Sequence, residues 1–389
     1  MLWKDRILSA VLAAAVAAAA LAAVVRFAPE RAAHTPSQLE QGITFEATGI
    51  PSNEIIASVD GNGAEAELLT YWVGTYADYI ENMFGMDLAE SWDMQLDEDT
   101  TVEQLVREEA MNAVKQQLVL ENLAARYGIG LSAEDAAALE QRRAQNIETL
   151  GGEEEYRARI YELGVSETGF NRLLRTDLLF EGLYKSYSTP GSPLYADDDV
   201  LHAYAAGAGW ITADHILIPT IDLTTRESLD AETVAQNRAL AEELLWRLRE
   251  SSDPVALFGE LADEYSQDTG RLAYPDGYTF TYGSMVDEFD AAARALKENE
   301  YSDIVESPYG YHIILRRPLN VAEAVEAVRS EYFDVFFRGE YERAELTETP
   351  AAARYDIPAV WAALRAAQAQ PEEPAENGTA ESETTESVK

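Results

Sequence analysis

Two of the chain's four histidines stand in nearly the same setting. His215 opens His-Ile-Leu-Ile at 215–218, and His312 opens His-Ile-Ile-Leu at 312–315. Short runs of β-branched and aliphatic residues such as these read as strands buried on both faces. An imidazole at the head of a buried strand must find a polar partner, because burying it alone is costly. If the two strands are neighbours in one sheet, the rings can meet as a cross-strand pair. Other chemistry is open to these residues. His215, His312 and Asp268 could ligate a metal, but no regular ligand spacing supports it. Ser307 and His312 could pair as nucleophile and base, yet their separation across a strand entry gives no such geometry. The plainer readings are a satisfied pair of core histidines, Met285 and Phe289 as core at a helix start, and Asp268 as a turn residue.

The elements between the two strands must position these groups. Ala231 to Glu250 carries Leu240, Leu244, Leu245 and Leu248 on one helical face. Ser251-Ser252-Asp253-Pro254 ends it, and Pro254 can start a second, shorter helix. A turn-rich loop with Gly270, Pro275, Asp276 and Gly277 follows, then a helix from Asp290 to Lys297. The order is strand, helices, loop with short strand, helix, strand.

In this stretch the chain resembles a parvulin-type peptidyl-prolyl isomerase. The resemblance rests on His-Ile-Leu-Ile at 215–218, Tyr-Ser-Gln-Asp at 265–268, Gly-Ser-Met-Val-Asp-Glu-Phe at 283–289 and Tyr-Gly-Tyr-His-Ile-Ile-Leu at 309–315. It implies a four-stranded antiparallel sheet with helices packed around it, spanning 210–318. It implies paired histidines at His215 and His312, an Asp268 facing the substrate amide, and a hydroxyl at Ser307 near the histidines. It implies that Met285 and Phe289 floor the proline pocket and that Phe280 flanks it. The family's Gly-Asp-Leu-Gly is here Pro275-Asp276-Gly277-Tyr278. Gly277 cannot supply the leucine wall, and Tyr278 is expected to replace it. The activity implied is cis-trans isomerisation of X-Pro bonds, which needs neither metal nor cofactor.

The net charge of −41 argues against nucleic acid and anionic lipid as partners. The absence of cysteine excludes disulfides. Lys4 and Arg6 precede an apolar, alanine-rich run from Ile7 to Val25. Residues 1–25 therefore read as a signal peptide or membrane anchor, with the remainder exported. Residues 26–52 read as a linker. Residues 53–206 read as a strand with a tight turn at Asp60-Gly61, followed by helices. One of these helices begins with a capping box of Thr100 and Glu103, and another is capped by Ser132 with Asp135.

The helical block resembles the chaperone lobe of exported foldases, through Ile-Ile-Ala-Ser-Val-Asp-Gly at 55–61 and Tyr-Gly-Ile-Gly-Leu-Ser at 127–132. That resemblance implies that a helix within 320–365 returns to the lobe after the isomerase domain. Val321 to Arg338 fits it, with Val325, Val328, Tyr332, Val335 and Phe336 as its apolar side. Tyr355 to Pro358 reads as an extended piece that could pair with the strand at Ile55. Trp72, Tyr76, Tyr79 and Trp92 read either as core or as a cradle for unfolded, newly exported polypeptides. Residues 366–389, rich in Pro, Glu, Ser and Thr, read as a disordered acidic tail. The expected fold class is α+β: a helical chaperone lobe plus a parvulin-like domain. The alternative function is a holdase that only grips proline-containing peptide.

Overall fold

The structure, a computed structural model, describes residues 34–369. The chain divides into two compact units, with boundaries between Leu183 and Tyr184 and between Arg338 and Gly339. The fold is α+β.

In the first unit α1 (Pro36–Thr48) begins at a capping box, in which Thr35 accepts from the Gln38 N–H and Gln38 reaches back to Thr35. Ile43 and Thr44 of this helix are buried. The segment expected as a linker is thus partly a packed helix, because its few apolar residues find a face to cover. Strands β1 (Ile55–Val59) and β2 (Asn62–Glu65) form a hairpin. Its turn residues Asp60 and Gly61 have φ of 52° and 83°, the left-handed pair that suits a two-residue turn. Helices α2 (Ala66–Phe84), α3 (Val102–Arg126), α4 (Ala133–Leu150) and α5 (Glu153–Glu162) follow, then α6 (Glu167–Ser188), which runs across the first boundary.

Several expectations for this unit are corrected. The capping box of α3 is Thr101 with Gln104, one residue later than expected. Ser132 with Asp135 does cap α4. Trp72, Tyr76 and Trp92 are core side chains, whereas Tyr79 is exposed, as are Met83 and Met94. The third strand of the sheet is β7 (Thr347–Glu348), in the order β2-β1-β7, with Ala57 opposite Glu348. The residues expected to pair there do something else. The Tyr355 hydroxyl is 2.5 Å from Thr70 Oγ1, and Asp356 caps a final helix that has Pro358 in its first turn. An Asp cap followed by proline specifies a helix start rather than a strand. That helix extends past the expected start of the tail, to Gln368, and buries Val360, Trp361 and Leu364.

In the second unit α7 (Asp198–Gly207) leads to β3 (Ile211–Pro219), then α8 (Ala231–Glu250), α9 (Pro254–Tyr265), β4 (Tyr278–Phe280), α10 (Asp287–Ala295), β5 (Val305–Ser307) and β6 (Gly310–Arg317). Helix α10 starts earlier than expected, at Asp287, whose charge suits a helix N-terminus. The antiparallel sheet has the order β4-β3-β6-β5. Strand β3 pairs with β6 along its length, from Thr212 opposite Arg317 to Pro219 opposite Gly310. Side chains alternate between its faces. Ile216, Ile218, Ile313 and Leu315 meet Leu244 and Leu248 of α8 and Phe258 and Leu261 of α9 on one face. Ile211, Ala213 and Ile314 meet Phe280, Phe289 and Ala293 on the other.

After β6 comes α11 (Val325–Arg343), which crosses the second boundary. Its apolar side is Val328, Phe333 and Phe337, while Val335 is 49% exposed. Of the side expected from sequence, Val328 is buried and Tyr332 and Phe336 pack against Tyr187, whereas Val335 faces solvent and Phe333 and Phe337 take its place. Helix α12 (Ile357–Gln368) ends the described chain.

Leu364 is 1% exposed. Leu364→Ala should destabilise the first unit by about 2–5 kcal/mol, the usual cost of an unfilled core leucine. Chemical denaturation followed by tryptophan fluorescence checks this; a loss below about 1 kcal/mol would mean α12 adds little.

Candidate active site

Strands β3 and β6 deliver both histidines to one face of the sheet. The rings are not directly opposed: His215 stands opposite Ile314, and His312 opposite Leu217. They meet on the diagonal, with ring centroids 5.1 Å apart and Nδ1 atoms 3.3 Å apart. Ser307, at the end of β5, places Oγ 2.7 Å from His312 Nε2 and accepts from the Tyr309 N–H at 3.1 Å.

Asp268 comes from a loop. Strand β4 pairs with β3 only as far as Ala213, which leaves the later edge of β3 open. Residues following α9 take that edge: the Leu217 N–H donates to Ser266 Oγ at 3.0 Å, and the Gln267 N–H donates to the Leu217 carbonyl at 2.9 Å. The suture sets Asp268 beside His215, with Oδ2 3.0 Å from Nε2. The contact is bent, the carboxylate lying off the ring N–H direction. Asp268 Oδ1 accepts from the Gly270 N–H at 3.1 Å, and Oδ2 accepts from the Tyr278 hydroxyl at 2.5 Å.

One arrangement of donors and acceptors satisfies the chain of contacts. The Ser307 hydroxyl donates to His312 Nε2, His312 Nδ1–H donates to His215 Nδ1, and His215 Nε2–H faces Asp268.

An apolar wall flanks this network. Phe289 stands edge-on to both imidazoles, 5.2 Å and 86° from His215 and 5.7 Å and 76° from His312. Phe280 lies 5.9 Å from Phe289. Met285 and Tyr278 are half-buried against the same cluster. His312, Phe280 and Phe289 are buried, while the side chains of His215 and Asp268 keep 12% and 17% of their surface open to solvent. The apolar floor is buried and the polar end is partly open to solvent.

The stretch that carries these residues is similar to known proteins. Residues 215–317 match the family described as Rotamase: PPIC-type PPIASE domain. That stretch is a parvulin-type PPIase domain. The chain is 48% identical over 80 residues to "Foldase protein PrsA" of Oceanobacillus iheyensis, covering 20% of this chain and 25% of that one. It is 52% identical over 59 residues to "Foldase protein PrsA 1" of Bacillus cereus, covering 15% and 20%. It thus spans about a quarter or less of the length of these curated relatives. The solved structure of PrsA from Bacillus subtilis aligns over 84% of this chain and 96% of its own at 21% identity, with a TM-score of 0.24.

Burial opposes charge on both ends of the polar network, with different outcomes. Burial, aided by the neighbouring His215, pushes His312 down to about 3, so the ring is neutral at ordinary pH. Burial also resists the charge on Asp268, but the close His215 ring and the hydrogen bond from Tyr278 outweigh it and hold the carboxyl at about 2. Burial and the Asp268 carboxylate push the Tyr278 hydroxyl up.

Tyr278 does more than line a pocket: its hydroxyl joins the polar network, and its ring lies 5.9 Å from His215. Gly277 has a physical reason. Its φ is +99°, and a Cβ there would lie 2.8 Å from the Ala213 carbonyl oxygen, so no leucine fits. Sequence reading gave no role to Ser266, which docks the loop on β3, nor to Asp214 and Arg271, whose side chains lie 2.6 Å apart. The signal for Asp214 was present, since a carboxylate inside a buried strand requires a cationic partner.

Two outcomes follow. Folded His312 binds its proton near pH 3, against about 6.5 without the fold. The unfolded chain holds more protons between those values, so stability falls as pH drops below about 6.5. His312→Asn should flatten that fall between pH 7 and 4.5 in thermal unfolding. Separately, a Cβ on Gly270 would lie 2.0 Å from the Tyr278 hydroxyl. Tyr278→Phe and Gly270→Ala should each raise the Asp268 pKa from about 2, read by carboxyl NMR titration; an unmoved value would remove Tyr278 from the network.

Proposed function

We propose that this chain is an extracytoplasmic foldase that isomerises X-Pro bonds in exported client proteins and holds unfolded segments on its helical lobe. The observation that carries the proposal is the polar line Ser307–His312–His215–Asp268–Tyr278 running beside the Phe280, Phe289 and Met285 wall. The basic, apolar N-terminal segment supports export, as do relatives named foldase. Residues 1–25, read as signal or anchor, lie outside the described residues, and no helix among the described residues is long and apolar enough to cross a membrane.

Rotation about an X-Pro amide faces a barrier of ~20 kcal/mol, and no covalent bond forms or breaks. The planar amide is stabilised by resonance that places partial positive charge on nitrogen and negative charge on oxygen. The twisted amide loses that separation. An apolar seat around the proline ring, from Met285, Phe289 and Phe280, weakens the solvation that favours the planar form. It also holds the ring while the acyl side turns. The polar groups then address the carbonyl and the freed nitrogen lone pair. His215 and Asp268, at the reachable end, are the groups we assign to substrate contact. His312 and Ser307 hold His215 from behind, and Tyr278 holds Asp268. Each 1.36 kcal/mol of preference for the twisted amide is worth a factor of ten in rate.

A second reading, a holdase that grips proline peptide without turnover, draws on Gly277, which leaves the family's leucine wall unfilled. In the helical lobe the apolar side chains available to a client include Tyr79 and Met83, 37% and 57% exposed, with Phe84 and Met94, rather than the buried Trp72, Tyr76 and Trp92.

A proline tetrapeptide assay discriminates the two readings. Under the isomerase reading, the full chain accelerates exchange, and His215→Ala and Asp268→Ala each lower kcat/KM by on the order of 10²-fold. Peptide binding without acceleration would support the holdase.

A further inference from the structure

Asp268 belongs to no strand or long helix. It caps a short 3₁₀ turn, Thr269–Leu272. Such turns are weakly held by their own hydrogen bonds, so a site that needs Asp268 placed must hold the turn by other means. The structure contains that means, on the far side of β3.

Asp214 directly precedes His215, so its side chain leaves the strand on the opposite face. It is 3% exposed. Its Oδ1 lies 2.6 Å from Arg271 Nη1 and accepts the His215 N–H at 2.8 Å, and its Oδ2 lies 3.0 Å from Arg317 Nη2. Arg271 comes from the 3₁₀ turn itself. It also grips Asp263 of α9, with Nε and Nη2 at 3.0 and 2.8 Å from one carboxylate oxygen. One guanidinium therefore ties the turn carrying Asp268 to the strand carrying His215 and to the helix behind both. Burial works against charge on Arg271, and the two carboxylates more than offset it, so its pKa is raised. Buried ion clusters are often no more stabilising than apolar packing of the same volume. A planar, five-donor fork does fix the geometry of what it joins.

We infer that Arg271, clamped by Asp214 and Asp263, is a positioning residue of the isomerase site: it registers the 269–272 turn against β3 and so sets Asp268 against His215. The inference rests on the isomerase reading for its effect on rate, but not for its effect on geometry. Arg271 points to the face opposite the imidazoles and is not proposed to touch substrate.

The test uses the full chain with Arg271→Met, Arg271→Lys and Asp214→Asn. Arg271→Met should lower kcat for a proline peptide by on the order of ten- to a hundredfold, as misplacement of catalytic groups does, with little change in KM. It should shift the ring resonances of His215 while leaving resonances of the first unit in place. Arg271→Lys should restore part of the rate, and Asp214→Asn, close in shape, should reproduce the Met variant where that one folds poorly. Parent-like kcat with unmoved His215 resonances in Arg271→Met would overturn the inference. So would a loss that follows global unfolding alone and that Lys does not relieve. If the parent chain shows no turnover, the isomerase reading falls, and the ring resonances still decide whether the clamp sets the site.

Discussion

The pairing of β3 with β6 is the constraint on which the site depends. His215 and His312 lie far apart in sequence, and neither could find the other without this ladder. The rings meet only in one register. A slip of one residue would turn one imidazole to the opposite face, against α8 and α9, where nothing polar awaits it. The apolar residues on both faces, Ile216 and Ile218 on one and Ile211 and Ile314 on the other, penalise that slip. The hydrophobic pattern that builds the core thus also builds the site.

The second organising feature is the use of both faces of one strand. His215 and Asp214 are adjacent, so they face opposite ways. The first enters the imidazole line; the second enters a cluster with Arg271, Arg317 and Asp263. Asp214, 3% exposed, has both carboxylate oxygens engaged by guanidinium groups, as a low-dielectric interior demands. The two networks are joined through the loop after α9, which reaches Asp268 on one side and Arg271 on the other. Its docking on the open edge of β3 uses Ser266 in place of a strand neighbour.

Much of the PPIase domain was legible in the chain. Short β-branched and aliphatic runs headed by histidine read as buried strands, and buried imidazoles need partners, so a cross-strand pair is what the local residues predict if the two strands are neighbours. The four-stranded sheet followed from the resemblance. The roles read for Tyr278 and Gly277 were less legible, because a tyrosine hydroxyl reaches beyond its own position and a backbone crowding at Ala213 leaves no mark in composition. The helical lobe was harder. The helix of residues 36–48 carries too few apolar residues to stand out from a linker, and the third strand is Thr347–Glu348 rather than the expected segment at Tyr355. An aromatic stripe does not reveal which rings are covered: Trp72, Tyr76 and Trp92 are buried, while Tyr79 is not.

By itself the sequence determined the things that depend on local residue type and period: two histidine-headed strands, the capped helices, the strongly acidic surface and a domain of PPIase type. Those follow because burial, alternation and capping act over a few residues. Only the tertiary structure decided which distant groups share a hydrogen bond: the diagonal meeting of the rings, the Tyr278 hydroxyl on Asp268, and the Arg271 fork between two carboxylates. Such contacts depend on register and loop path, which are set by the packing of the whole domain rather than by any short stretch of it.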